Sequence, residues 1–447
     1  MPVGRFGAAG ELVSLMTLRF RGLAGPLLTT LLVLFALPSR AETVAPSPNA
    51  PILTLEEAIG RAVAASPRLD ASRSTVAAAA GTERQAHLFP NPEVSLGAEN
   101  IAGTGPYGGI ANAELTYGIS QFIELGGKRE ARQAAAAAER RAAETDLDAA
   151  KLDLIRDVTM AYAAVVAAEQ NLRLARDLEA TAQKVLEDVS RRVAAAKDPL
   201  FQKSRAEVAL TTATIARQRA EEALRGGRER LARYWNATTV TEELASDTLF
   251  AADAPAALPV YETRLTKTPD IVRFERLREA RQADLALAEA ANVPDLRANV
   301  GVRQFPGSND TAVVAGISLP IPVWNQNQGE IARASAEVRR MASELRAAQL
   351  ERSQQLVDAW TEWKSAWIEI QKLRAEALPQ AERAFNLALA GFRQGGFRYL
   401  DVLDAQRAFF ETRGALLAAL VRLQEARARV ERLTGHALQL ADANGAP

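Results

Sequence analysis

The chain has 447 residues, 48% of them hydrophobic, 24% charged and only 6% aromatic, with 54 basic side chains against 54 acidic ones. A net charge of zero argues against a nucleic-acid partner. The absence of cysteine removes disulfide staples, thiolate metal sites and thiol nucleophiles. Two histidines, His87 and His436, are too few for a multi-histidine metal centre, and no cofactor-binding pattern stands out.

Arg19 and Arg21 precede an apolar run over 23–37, followed by Pro38-Ser39-Arg40-Ala41. A basic lead, a short apolar core and a small-x-small ending are the parts of a secretory signal. Residues 1–41 are therefore expected to be a signal peptide cleaved after Ala41; Met16 would open a more typical one. Residues 42–54 read as a flexible, Pro-rich lead. After Ala41 no apolar stretch reaches the roughly 18 residues of a membrane-spanning helix. The processed chain is then either soluble outside the cytoplasm or meets a membrane as strands.

The remainder repeats itself at a spacing of about 200 residues. Ser66-Pro67 answers to Thr268-Pro269, Asn91-Pro92 to Val293-Pro294, Gly118-Ile119-Ser120 to Gly316-Ile317-Ser318, Gly127 to Gly329 and Ala206 to Ala405. The units are 55–236 and 260–435, joined by 237–259 and followed by a tail, 436–447. Each unit has one order of elements. A helix comes first (55–88 in the first unit, with Thr54 and Glu57 in capping-box spacing). A strand pair comes next, then a very long helix (127–195 or 329–394), a sharp turn and a returning helix (200–235 or 397–434). A 69-residue helix would reach about 100 Å, so it needs a coiled-coil-like neighbour along its length. Pro379 should bend the second long helix.

Residues 93–99, 113–119, 296–303 and 313–319 alternate with period two. One face collects Val94, Leu96, Ala98, Leu115, Tyr117, Ile119, Leu296, Ala298, Val300, Val302, Val313, Ala315 and Ile317. The other collects Glu93, Ser95, Glu99, Glu114, Thr116, Arg297, Asn299, Arg303 and Ser318. An ordinary sheet with one wet face would need a cover for its apolar side, and helices this long run away from it. A membrane barrel, apolar outward and polar toward a lumen, meets the pattern better. Tyr107, Tyr117, Phe122, Phe305 and Trp324 lie near strand ends, where aromatic girdles belong. Four strands cannot close, so the chain must oligomerise, two copies giving eight strands and three giving twelve.

The order of elements, the duplication and the motif Gly395-Gly396-Phe397-Arg398-Tyr399-Leu400-Asp401-Val402-Leu403-Asp404-Ala405-Gln406 resemble the TolC-like outer-membrane factor family. The resemblance implies a mainly α protein with membrane β-structure. Its duplicated helix–strand pair–long hairpin units would build a trimeric, 12-stranded β-barrel on an α-helical barrel. It further implies a passive, non-enzymatic exit duct, set in outer-membrane lipid with its helices in the periplasm, working with a periplasmic adaptor and an inner-membrane pump. The family's acidic gate pair falls on Asp401 and Asp404. The tips expected to touch the adaptor carry Lys197 and Asp198 in the first unit and Gly395, Gly396 and Phe397 in the second. The first tip, Lys197-Asp198-Pro199, lacks the glycine pair. Phe89-Pro90-Asn91-Pro92-Glu93 and the run from Ile119 to Arg129 are similar to the branch serving cobalt–zinc–cadmium and copper efflux, which implies heavy-metal cations as cargo. Drug export, type I secretion, and a periplasmic adaptor or coiled-coil structural role are the alternatives.

Blander readings compete at each motif. Asp401 and Asp404 share a helix face and also suit a solvated helix start; no nucleophile or histidine accompanies them for acid–base chemistry. Gly126-Gly127-Lys128-Arg129 lacks the first glycine and the Ser/Thr of a phosphate loop and reads as a strand-to-helix turn. Trp360, Trp363 and Trp367, at helical spacing, read as packing between helices. His87 reads as a helix-end residue.

Overall fold

The computed structural model describes residues 52–435. The signal peptide, most of the lead, His436 and the C-terminal tail lie outside the described residues. The helices and strands, in chain order, are β1 (Ile52–Leu53), α1 (Leu55–Ala65), α2 (Pro67–Ala86), β2 (Glu93–Glu99), β3 (Glu114–Ile123), α3 (Lys128–Ala194), α4 (Leu200–Ala232), β4 (Glu243–Leu244), α5 (Asp247–Phe250), α6 (Leu258–Leu265), α7 (Pro269–Ala290), β5 (Leu296–Phe305), β6 (Asp310–Ser318), α8 (Gln328–Lys372), α9 (Leu378–Gln394) and α10 (Tyr399–Thr434). Among the described residues no helix is long and apolar enough to cross a membrane.

The duplication is visible element by element: α2-β2-β3-α3-α4 matches α7-β5-β6-α8/α9-α10. One alignment and one helix differ from the sequence reading. The start of α3 corresponds to that of α8, so Gly127 is equivalent to Asn327 and not to Gly329. Both are left-handed N-caps, with φ of 73° and 58°. The expected helix over 55–88 is two helices. Proline drives the residue before it out of the α region, so Ser66 is extended and Pro67 opens α2. Thr54 does cap α1, its Oγ1 accepting from Glu57 N–H at 3.2 Å.

Alanine and the lack of proline carry α3 through 67 residues, about 100 Å at 1.5 Å per residue. It is the central pole against which α2, α4, α7 and α10 pack. Val158, Tyr162 and Val165 on α3 share one core with Leu356, Trp363 and Ile370 on α8 and Leu420, Leu423 and Val430 on α10. The second long helix takes its proline differently from a simple bend. A π-helical turn, Leu373–Ala377, sits directly ahead of Pro379. Proline offers no N–H to the preceding turn, and a wider turn absorbs the lost bond.

The linker between the repeats is strapped to this core. Ile52 and Leu53, assigned to the lead by sequence, pair in parallel with Glu243 and Leu244. Tyr162 Oη donates to Leu53 O at 2.7 Å and lies 3.0 Å from Ala245 O. Burial pushes this phenol up to about 12. The tryptophan stripe is packing, in line with the blander reading. Trp360 and Trp363 donate their indole N–H groups to the linker carbonyls of Ala256 and Asp253.

Candidate functional site

The four-stranded sheet has the order β2-β3-β5-β6, antiparallel throughout. Its register stacks the apolar positions in rows: Val94–Ile119–Val300–Ala315 and Leu96–Tyr117–Val302–Val313. This face is uncovered; Val94 is 87% and Val313 77% exposed. The opposite face is polar and ion-paired. Arg303 donates to Glu114 at 2.8 Å and to Thr116 Oγ1 at 3.1 Å, and Arg297 pairs with Glu93. Between them lies the row Ser95–Gly118–Gly301–Val314. A Cβ at Gly301 would come within 2.5 Å of the Tyr117 carbonyl, so backbones approach closely there. Phe122 and Phe305 alternate onto the polar face with Arg297 and Asp310, which removes them from any outward aromatic girdle. Among the described residues, β2 and β6 each keep an unpaired edge.

At the far end of the helices are the two hairpin tips. The second closes α9 with a Schellman motif. Gly396 N–H donates to Gly391 O at 2.8 Å and Gly395 N–H to Phe392 O at 3.0 Å. Gly395 sits at φ 87°, where a side chain would be strained. The half-exposed Phe397 ring lies over Gly391 so closely that a Cβ there would come within 2.2 Å of it. Tyr399 and Val402 turn into a small tip core with Phe385, Phe392 and Val189. That fixes the helix rotation and leaves Asp401 and Asp404 outside, both exposed. Asp401 also caps its own helix, accepting from Arg398 N–H at 2.8 Å; Asp404 has no partner among the described residues.

The first tip is built by other means. Ala196 takes the left-handed position, at φ 56°, and Lys197 N–H donates to Arg192 O at 2.9 Å. Asp198 is held by Arg192, which donates to it at 2.6 Å and to Phe392 O of the second hairpin at 2.9 Å. The same guanidinium lies 4.7 Å from the Phe392 ring centroid. Asp188 on α3 accepts from Arg191 and, at 3.0 Å, from Arg393 on α9. The structure thus ties Asp198 into a cross-hairpin link and leaves Lys197, Asp401 and Asp404 on the surface. Sequence reading missed Arg192, Asp188 and Arg393. The two arginines, in the last turns of α3 and α9, look the same as ordinary dipole-compensating residues, and Asp188 looks like a local i,i+3 partner of Arg191.

Above the tips α4 and α10 flank α3, leaving an open groove of about 1040 Å³ lined by Leu174, Leu178, Val208, Ala216, Leu400 and Phe410, among others.

A family profile described as outer membrane efflux protein matches residues 58–237 and 260–436, one stretch for each repeat. The chain belongs to the outer membrane efflux protein family. It is similar to the cobalt-zinc-cadmium resistance protein CzcC of Cupriavidus metallidurans, 29% identical over 86% of this chain and 90% of that one. Among solved structures, CusC matches with a TM-score of 0.73 at 19% identity, covering 86% of this chain and 92% of that one. VceC of Vibrio cholerae matches at 0.69 and 22% identity, covering 85% and 96%. Family membership gives the sheet and the helices their setting. This is an outer-membrane efflux channel, with the strands in the membrane and the helical tunnel in the periplasm. The exposed apolar rows are its lipid face and the ion-paired rows its lumen.

Proposed function

We propose that three copies of this chain close one conduit and that it passively releases metal cations delivered by an inner-membrane pump and a periplasmic adaptor. The observation that carries the reading is the sheet: among the described residues it has four strands, two unpaired edges, an uncovered apolar face and a charged opposite face. Edges left open in lipid strand their backbone groups without partners. Two copies give eight strands, whose interior side chains fill; three give twelve and an open bore.

The cargo reading rests on the likeness to a cobalt-zinc-cadmium resistance protein and on the tip geometry. Asp401 and Asp404 face outward from a buried anchor, so threefold repetition sets six carboxylates around one axis. Such a ring attracts cations through its field rather than by tight ligation. The apolar groove between α4 and α10 is where a helical hairpin of the adaptor would lie, beside Lys197, Gly395 and Phe397. In planar bilayers, Asp401→Ala with Asp404→Ala should raise conductance and weaken block by multivalent cations. Unchanged single-channel behaviour would remove the gate. A deletion strain tolerant of cobalt, zinc and cadmium but sensitive to organic toxins would move the cargo to another class.

A further inference from the structure

The two repeats pass from strand to helix differently. In the first, residues 124–127 join β3 to α3 and carry Glu124, with Lys128 and Arg129 coming at once after them. In the second, residues 319–327 join β6 to α8, and no charged side chain occurs from Thr311 through Gly329. The longer junction reads Leu319-Pro320-Ile321-Pro322-Val323-Trp324. Ile321 is 80% and Trp324 88% exposed.

Its phase is informative. The lipid-facing row of β6 is Val313, Ala315 and Ile317; Leu319, Ile321 and Val323 continue it at the same period of two. Pairing stops because Pro320 and Pro322 have no N–H to give, yet the apolar alternation runs on. Its far end, where it meets α8, is tied down. Gln328 Nε2 donates to Trp324 O at 3.1 Å, Asn327 N–H to Asn325 Oδ1 at 3.0 Å and Asn327 Nδ2 to Ala288 O at 2.7 Å. Strands of about ten residues, tilted as in membrane barrels, already cover the roughly 25 Å apolar band. The junction between Ser318 and the helices therefore lies in the headgroup zone of the periplasmic leaflet. Phe89, at the same end of the sheet, is likewise exposed and carries the Arg129 guanidinium 3.7 Å above its ring. Apolar side chains, an amphipathic indole and uncharged amides on the aqueous side are the composition of an interfacial anchor.

We infer that Leu319–Trp324 is a membrane-surface foot, one per subunit, that lies in the periplasmic-leaflet interface and sets the depth of the channel. The inference rests on the barrel reading and extends it to a segment outside the barrel. The chain has no cysteine, so single nitroxides can be placed by Ile321→Cys and Val323→Cys. The labelled channel is reconstituted into phosphatidylethanolamine–phosphatidylglycerol vesicles. Collision with oxygen and with a water-soluble nickel chelate is then compared with Val313→Cys on the strand face and Glu222→Cys on exposed α4. Labels at 321 and 323 should favour oxygen, between the two references. Values equal to those of Glu222→Cys would overturn the foot. So would labels immobilised and closed to both reagents, which would place a neighbouring subunit over the segment. If Val313→Cys itself reads as aqueous, the barrel reading has failed and the foot falls with it.

Discussion

Arg192 shows how one side chain can join two hairpins that the sequence treats as separate units. It satisfies Asp198, a carbonyl of α9 and an aromatic face at once. Removing it leaves Asp198 and the Phe392 carbonyl without that donor. Arg192→Gln is therefore expected to raise single-channel open probability, whereas Lys197→Gln, at the exposed neighbour, should leave it near the parent value. Ala196 gives a second residue-scale test. A non-glycine residue in the left-handed region costs about 1–2 kcal/mol, which glycine avoids at some cost in unfolded-chain entropy. Ala196→Gly should stabilise the first hairpin by about 0.5–1 kcal/mol, read as a higher midpoint in detergent-solubilised thermal melts. The spacing of Asp401 and Asp404 made their shared, exposed helix face legible, while their selection as a pair came from the family resemblance. Asp198 was legible as a tip residue but not as a bonded one. Its partner Arg192 lies 6 positions away and is itself fixed by a carbonyl 200 positions further on.

At the scale of elements, a period of two is the most transferable signal in this chain. It placed the strands to within a few residues and separated the lipid row of each from the lumen row. Neighbouring positions should accordingly respond in opposite ways. Val313 faces lipid and Val314, one residue on, belongs to the lumen row with Gly301. A lysine near the mid-depth of the lipid face costs about 2–4 kcal/mol, whereas the lumen offers water. Val313→Lys should lower the yield of assembled channel in outer-membrane fractions, while Val314→Lys should assemble and shift ion selectivity toward anions. Helix breaks were harder to read. Pro67 split a helix that amphipathic pattern alone ran through: Ser66 before it is extended and buried, so the packed face continues across the break. Pro379 did not stop its helix, because the π turn at Leu373–Ala377 took up the missing bond. The same residue type gave opposite outcomes, a clean break where no wider turn precedes the proline and a continued helix where one does.

For the whole molecule, the question is what keeps two long hairpins and a linker moving as one body. The repeats were legible because duplication leaves matched punctuation. Their union was not, because it depends on charges brought from four helices. Arg432 on α10, whose side chain is only 6% exposed, pairs with Asp270 on α7 and, at 2.9 Å, with Asp153 on α3. Arg352 on α8 reaches Asp270 at 3.1 Å. Burial of Asp270, 11% exposed at its side chain, opposes its ionisation. The adjoining Arg432 and Arg352 guanidinium groups outweigh that and hold its carboxyl below the ordinary carboxylate value. A carboxyl with a lowered folded-state pKa adds stability that is fully present above its unfolded value of about 3.9 and is lost as pH falls through the folded one. Thermal midpoints should therefore be insensitive to this group from neutral pH down to about 4 and should fall below that. Asp270→Asn should flatten that acid limb while lowering the neutral-pH midpoint. Arg432→Met, which leaves a buried carboxylate with one partner fewer, should cost about 3–5 kcal/mol at neutral pH. If Asp270→Asn kept the full acid limb, the network would not be what couples the repeats to proton concentration, and surface carboxylates would have to supply it.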